Sequence, residues 1–173
     1  MFASSKSALA AVTLAVAAVA APLATATQAA AKPISGSCGG GNIAFRSSPI
    51  GLAAAPATAT FTGDLTGCQG TPAPTGTFSG TFAGNGNCFD INGQIDGVVN
   101  WSDGRVSRVS GPWDVPGGMG APKTNTVTIT DGPGAGQRMS VSQGPIDGGS
   151  QVGPCLTDNV RDAGLTITNV QFS

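Results

Sequence analysis

The stretch Ala57-Thr58-Ala59-Thr60-Phe61-Thr62-Gly63-Asp64-Leu65 decides the fold. Ala59, Phe61 and Leu65 recur at a period of two on one face, and Thr58, Thr60, Thr62 and Asp64 occupy the other. That pattern is a β-strand with one buried and one wet face, because helical winding would scatter both sets around the circumference. Residues 76–83 repeat it: Phe78 and Phe82 share a face with Gly80 between them, while Thr77, Ser79 and Thr81 point away. Further strands are predicted at 42–46, 94–102, 105–111, 124–131, 137–142 and 164–172, separated by Gly, Pro, Asn and Asp. The expected fold is therefore all-β, an antiparallel β-sandwich or barrel of about eight strands, with no long helix after the amino-terminal leader.

Two strands carry register information. Val98 to Ser102 runs through Asp103-Gly104 into Arg105-Val106-Ser107, a hairpin whose turn needs positive φ. A two-residue loop would set Val99 opposite Arg108. A three-residue loop pairing Val99 with Val109 is preferred, because it keeps the arginine off the apolar face. In the last strand Leu165 and Ile167 share one face and Val170 and Phe172 the other, so a bulge near Thr168-Asn169 is expected. Residues 47–56, 69–75 and 111–122 are rich in Pro and Gly and read as surface connections. The short repeat Thr-Phe-Thr-Gly (60–63), Thr-Phe-Ser-Gly (77–80) and Thr-Phe-Ala-Gly (81–84) is too irregular for a solenoid or propeller, and shared strand chemistry accounts for it.

The leader, residues 1–31, reads as a secretory signal peptide. Lys6 is its lone early charge, Ala8 to Ala21 is apolar, and small residues end at Ala29-Ala30-Ala31. Ala24-Thr25-Ala26 offers a second cleavage site, so a start at Lys32 has a competitor five residues earlier. The apolar run is shorter than the roughly 20 residues of a membrane span. No Arg precedes Arg46, which argues against the twin-arginine route, and the polar segment Asn169 to Ser173 carries no sorting tail. The expected product is a secreted, extracellular chain with residues 32–173 as a single all-β domain.

All four cysteines, Cys38, Cys68, Cys88 and Cys155, fall in that part, which favours two disulfides over metal binding. Three connectivities exist. Cys38–Cys68 with Cys88–Cys155 is preferred because it ties neighbouring segments without crossing, and each bridge would contribute about 3.5–4.5 kcal/mol in the loop-entropy model.

Composition excludes much chemistry. The 173 residues include 27 Gly and no His or Tyr, and all nine acidic residues are Asp. His-dependent triads, His-containing zinc sites and HExxH proteases are thereby ruled out, and the eight scattered basic residues make no nucleic-acid stripe. Asp90-Ile91-Asn92-Gly93 with Asp96 offers hard oxygen ligands for calcium, but its Gly is misplaced for an EF-hand and no Glu exists, so turn chemistry is the better account. Asp90, Asp96, Asp103 and Asp114, and Asp158 with Asp162 on one helical turn, are the carboxylates a glycosidase or aspartic protease would draw on, without a signature for either. A Ser nucleophile would need Lys32 or Lys123 as base, and neither lies in an apolar run. Gly39–Gly41 and Gly132–Gly136 lack the lysine and helix of a phosphate loop and read as turns. No catalytic residue, metal or cofactor is therefore expected. Trp101 is expected in the core. Trp113, in the Pro/Gly loop, is expected at the surface as a contact for a ligand or partner.

Several motifs resemble a group of small secreted actinobacterial β-proteins, mostly uncharacterised: Cys38-Gly39-Gly40, Gly-Asp-Leu-Thr-Gly-Cys at 63–68, Val-Asn-Trp-Ser-Asp-Gly at 99–104, Thr126 to Gly136, and Pro154-Cys155-Leu156-Thr157. The resemblance implies secretion, an all-β disulfide-bonded fold and no established activity. The leading expectation is a non-enzymatic extracellular β-domain that binds or shields an unknown partner, with no nucleic acid and, once the leader is cut, no membrane. The alternative is a small-ligand carrier resembling secreted β-sandwich chromoproteins, and a third choice is an Asp-dependent extracellular hydrolase.

Overall fold

A computed structural model describes residues 32–116, 123–144, 152–157 and 160–173; the expected signal peptide lies outside them. Eight strands, β1 (Ser37–Ile50), β2 (Ala55–Gln69), β3 (Gly76–Asn87), β4 (Asp90–Trp101), β5 (Val106–Pro116), β6 (Lys123–Asp131), β7 (Arg138–Gln143) and β8 (Val160–Phe172), form a closed up-and-down barrel in chain order. Every neighbouring pair is antiparallel, and β8 returns to β1, so no sheet edge is left open. Among the described residues one short helix, α1 (Val152–Leu156), lies between β7 and β8. Strands are longer than alternation predicts. Residues 47–50 and 55–56 extend β1 and β2, and 111–116 belong to β5, so only 51–54 and 70–75 remain as turns there.

Alternation sorts most side chains on β2 as expected: Phe61 and Leu65 are buried with Ala57, Ala59 is half-buried on the same face, Thr58, Thr60 and Thr62 are exposed, and Asp64 is half-buried. The outer wall is polar throughout β6 as well, with Thr124, Thr126, Thr128 and Thr130 exposed. An apolar interior with a hydroxyl-bearing exterior is the reverse of a bilayer-spanning barrel, whose apolar band faces outward.

The Phe-x-Gly repeat has a packing reason that strand chemistry alone misses. Phe and Gly both point inward, and the rings fill the space that glycine side chains would take. A Cβ on Gly63 would come within 2.5 Å of the Phe78 ring, one on Gly80 within 2.6 Å of Phe61, and those on Gly84 and Gly93 within 2.7 and 2.6 Å of Phe82. Phe45, Phe61 and Phe78 then contact one another in sequence, with ring centroids 5.8 and 6.1 Å apart. Eight strands enclose just enough room for side chains, so large rings require small residues opposite them.

The phase change foreseen in β8 is shared by its neighbours. Cys38, Cys68 and Val170 face inward on one level, Leu65 and Ile167 on the next, three residues away, with Gly41 aligned beside them. Three adjacent strands thus shift together, and the β7–β8 register slips between Ser142 and Gln143, opposite Thr168. On β2 the shift passes through Gly67, whose φ of 61° suits glycine.

The hairpin register differs from both readings of the sequence. Trp101 N donates to Arg105 O and Gly104 N to Trp101 O, each at 2.9 Å, so the turn is Ser102-Asp103-Gly104 and Val99 faces Ser107. Arg108 lies opposite Val98, away from the core. A serine can occupy the inward position because its needs are met: Trp101 Nε1 donates to Ser107 Oγ at 3.0 Å, and Ser107 Oγ donates to Pro133 O at 2.8 Å. Both disulfides form as preferred, Cys38–Cys68 between directly opposed residues of β1 and β2, and Cys88–Cys155 between the β3–β4 turn and α1.

Candidate functional site

The barrel has two unlike ends. At the first, the strap end, residues 32–36 cross the opening. Ile34 is buried there, and its backbone is held on both sides by one side chain: Ile34 N donates to Gln137 Oε1 at 2.6 Å and Gln137 Nε2 donates to Ile34 O at 2.8 Å. Ser35 N donates to Gly70 O at 3.3 Å and Gly134 N to Lys32 O at 3.1 Å, anchoring the strap to the turns on either side. Arg105 completes the closure, donating from Nη2 to Pro72 O at 2.6 Å and from Nε to Asp103 at 2.7 Å. The bonds that the Arg105 guanidinium and backbone N–H make to Asp103 hold its carboxyl below the usual range.

At the opposite, helix end, the closure is covalent. Cys88 N donates to Gly51 O at 2.9 Å, joining the β1–β2 and β3–β4 turns, and the Cys88–Cys155 disulfide adds α1. Beside these three anchors stand Leu52, Phe89 and Leu156, large apolar side chains that are 44%, 58% and 65% exposed. Each directly follows an anchoring residue, Gly51, Cys88 or Cys155, so the anchors bring all three turns to one tip. No strand periodicity marks these three residues out. The available signal was an apolar residue next to each of two turn cysteines.

Also toward this end is the weakest seam of the wall. The β5–β6 ladder runs only from Arg108 to Ser110, with a register shift. Beyond it Asp114 N donates to Asn125 Oδ1 and Asn125 Nδ2 donates back to Asp114 O, each at 2.9 Å; Gln143 Nε2 donates to the same oxygen at 2.8 Å. Pro112 and Pro116 lie two residues on either side of Asp114, so the N–H each lacks would face this seam. Buried Asn125 and Gln143 thus hold the Asp114 backbone where the ladder fails between the prolines. Among the described residues, the buried atoms Trp113 Nε1 and Gln143 Oε1 have no hydrogen-bond partner.

Trp113 is the residue for which the expectation changes most. It lies on β5, not in a surface loop, and is only 2% exposed, packed in the core. Gly111 and Pro112 were read as loop formers, yet opposite β4 they pair in register with Ile95 and Gln94. The rest of that loop, 117–122, lies outside the described residues. Trp101 is buried as expected.

The calcium set is spread along a strand. Asp90, Asn92 and Asp96 all point outward on β4, and six residues of strand separate Asp90 from Asp96 by about 20 Å. Asp90 already has a cation: Lys123 Nζ lies 2.9 Å from Asp90 Oδ1 and 3.9 Å from Asp114 Oδ2. Lys123, helped by Asn92, draws the Asp90 pKa down, whereas a general acid needs it raised. Asp90 and Asp114 are close enough for a carboxylate pair, but they are about half exposed and share a lysine rather than a cleft. Asp162 is on β8 and pairs with Arg46 at 3.1 Å; Asp158 lies outside the described residues. Gly39–Gly41 lies inside β1 rather than in a turn, whereas Gly132–Gly136 is a turn as expected. Lys32, the other candidate base, is exposed on the strap.

The interior is full. A void of about 20 Å³, lined by apolar residues including Phe61, Phe78, Val109 and Trp113, has room for no more than a water-sized occupant. Compared with protein-family models, with curated proteins and with solved structures, the chain finds no match in any of the three.

Proposed function

We propose that this chain is a secreted, non-enzymatic β-barrel that binds an extracellular partner through its helix end. The observation that carries the reading is the cluster of Leu52, Phe89 and Leu156 around Cys88–Cys155. Large apolar side chains held out in solvent on a cross-linked tip lose hydration cost only when something covers them. Two disulfides and the leader at 1–31 support an oxidising destination. The barrel architecture and the disulfides also support, at the level of fold, the resemblance to small secreted actinobacterial β-proteins. A filled interior weighs against a ligand carried inside the barrel.

The test is native isolation of tagged protein from culture medium, wild type beside a Phe89→Ser/Leu156→Ser variant. One defined component recovered with wild type and lost with the variant supports the reading. Equal recovery by both, or none with wild type, contradicts it. Turnover of an extracellular polymer that disappears on Asp90→Asn or Asp114→Asn would overturn the non-enzymatic assignment.

A further inference from the structure

The strap end carries a cleft unconnected with the helix-end reading. About 250 Å³ in volume, it is bounded by Lys32 to Ser35 of the strap, Gly70 to Pro72 of the β2–β3 turn, Arg105 and Pro133. Its walls come from separate segments, each anchored by its own hydrogen bonds: Ser35 N to Gly70 O, Gly134 N to Lys32 O, and Arg105 Nη2 to Pro72 O. The cleft is therefore preformed rather than a gap between loose loops.

Its lining divides between proline rings and the polar residues Lys32, Ser35, Thr71 and Arg105. Pro33, Pro72 and Pro133 have no N–H, and they present rigid apolar rings. Two wall carbonyls are already taken, Pro72 O by Arg105 and Pro133 O by Ser107. The charge of Arg105 is opposed by Asp103. Lys32 makes no ion pair among the described residues, so its side-chain ammonium stands uncompensated at the rim, and cleavage after Ala31 would add its α-ammonium there. Three proline rings, with the Lys32 ammonium unpaired among the described residues at the rim, complement a small anion with an apolar body, and the volume suits a molecule of fragment size.

We propose that this cleft binds a small apolar monocarboxylate, its carboxylate on Lys32 and its body against the three prolines. The experiment is an amide NMR titration of the purified protein with three probes: benzoate, its neutral counterpart benzamide, and acetate. Benzoate is expected to shift Ser35, Gly70, Thr71 and Arg105 saturably. Benzamide and acetate should each bind at least about tenfold more weakly, lacking the charge or the apolar body. Lys32→Gln should weaken benzoate about tenfold and leave the thermal midpoint unchanged, while Lys32→Arg retains binding. Absence of saturable benzoate shifts, equal affinity for benzamide, or full benzoate affinity in Lys32→Gln would each overturn the proposal.

Discussion

At the strap end the opening is closed by hydrogen bonds around one buried isoleucine, the Cys38–Cys68 disulfide there joining only neighbouring strands of the wall, and the tryptophan is satisfied: Trp101 Nε1 donates to Ser107. At the helix end a disulfide replaces that network, apolar side chains stay in solvent, and Trp113 Nε1 is buried without a partner. The first end is finished by the chain itself. The second is tied across its turns by a disulfide, with a buried polar atom and exposed apolar side chains left unmatched among the described residues.

The largest test of that contrast is removal of its covalent part. Cys88→Ser/Cys155→Ser opens a connection of sequence separation 67, worth about 4.4 kcal/mol in the loop-entropy model. Denaturant unfolding should show the loss, and amide exchange should rise around α1 more than in the β1–β2 ladder; uniform loss of protection would break the contrast. At the other end Ile34→Ala should lower stability by about 3 kcal/mol, because it empties a buried site that the strap cannot refill. A change below about 1 kcal/mol would mean that the strap is not a closure.

The two tryptophans allow a finer comparison. Trp101→Phe leaves buried Ser107 without its donor and should lose about 1–2 kcal/mol more than Trp113→Phe, which removes an N–H that had no partner. Equal losses would show that the indole hydrogen bonds do not distinguish the ends. Phe89→Ser/Leu156→Ser should change stability by less than about 0.5 kcal/mol, since both side chains are exposed. Smallest is a pH effect. The Asp90 pKa is depressed in the fold, so its pairing with Lys123 stabilises above the unfolded value of 3.8 and is lost as pH falls through the lower folded value. A Lys123→Gln variant should match wild type in urea midpoint at acid pH and fall slightly below it near neutrality.

How much of this was legible follows from where the information sits. Alternation at 57–65 and 76–83 fixes strands because each residue reports its own face. It cannot report that Phe61 covers Gly80, since that depends on which strands become neighbours. The Val99–Ser107 pairing escaped for a related reason: an inward serine looks wrong until Trp101 and Pro133 supply its partners. Pro112 suggested a loop because proline breaks ladders, yet a seam repaired by Asn125 tolerates it. The helix-end tip was hidden because the proximity of Leu52, Phe89 and Leu156 is created by turns and a disulfide, not by periodicity.

The central claim is that the helix end is the working end. Its most direct test is site-specific photocrosslinking in native culture medium, with the probe at Phe89 in one preparation and at Gly136, on the strap-end turn, in another. The account predicts a discrete covalent adduct from position 89 and none from position 136. An adduct from position 136 alone, or from neither, would contradict it.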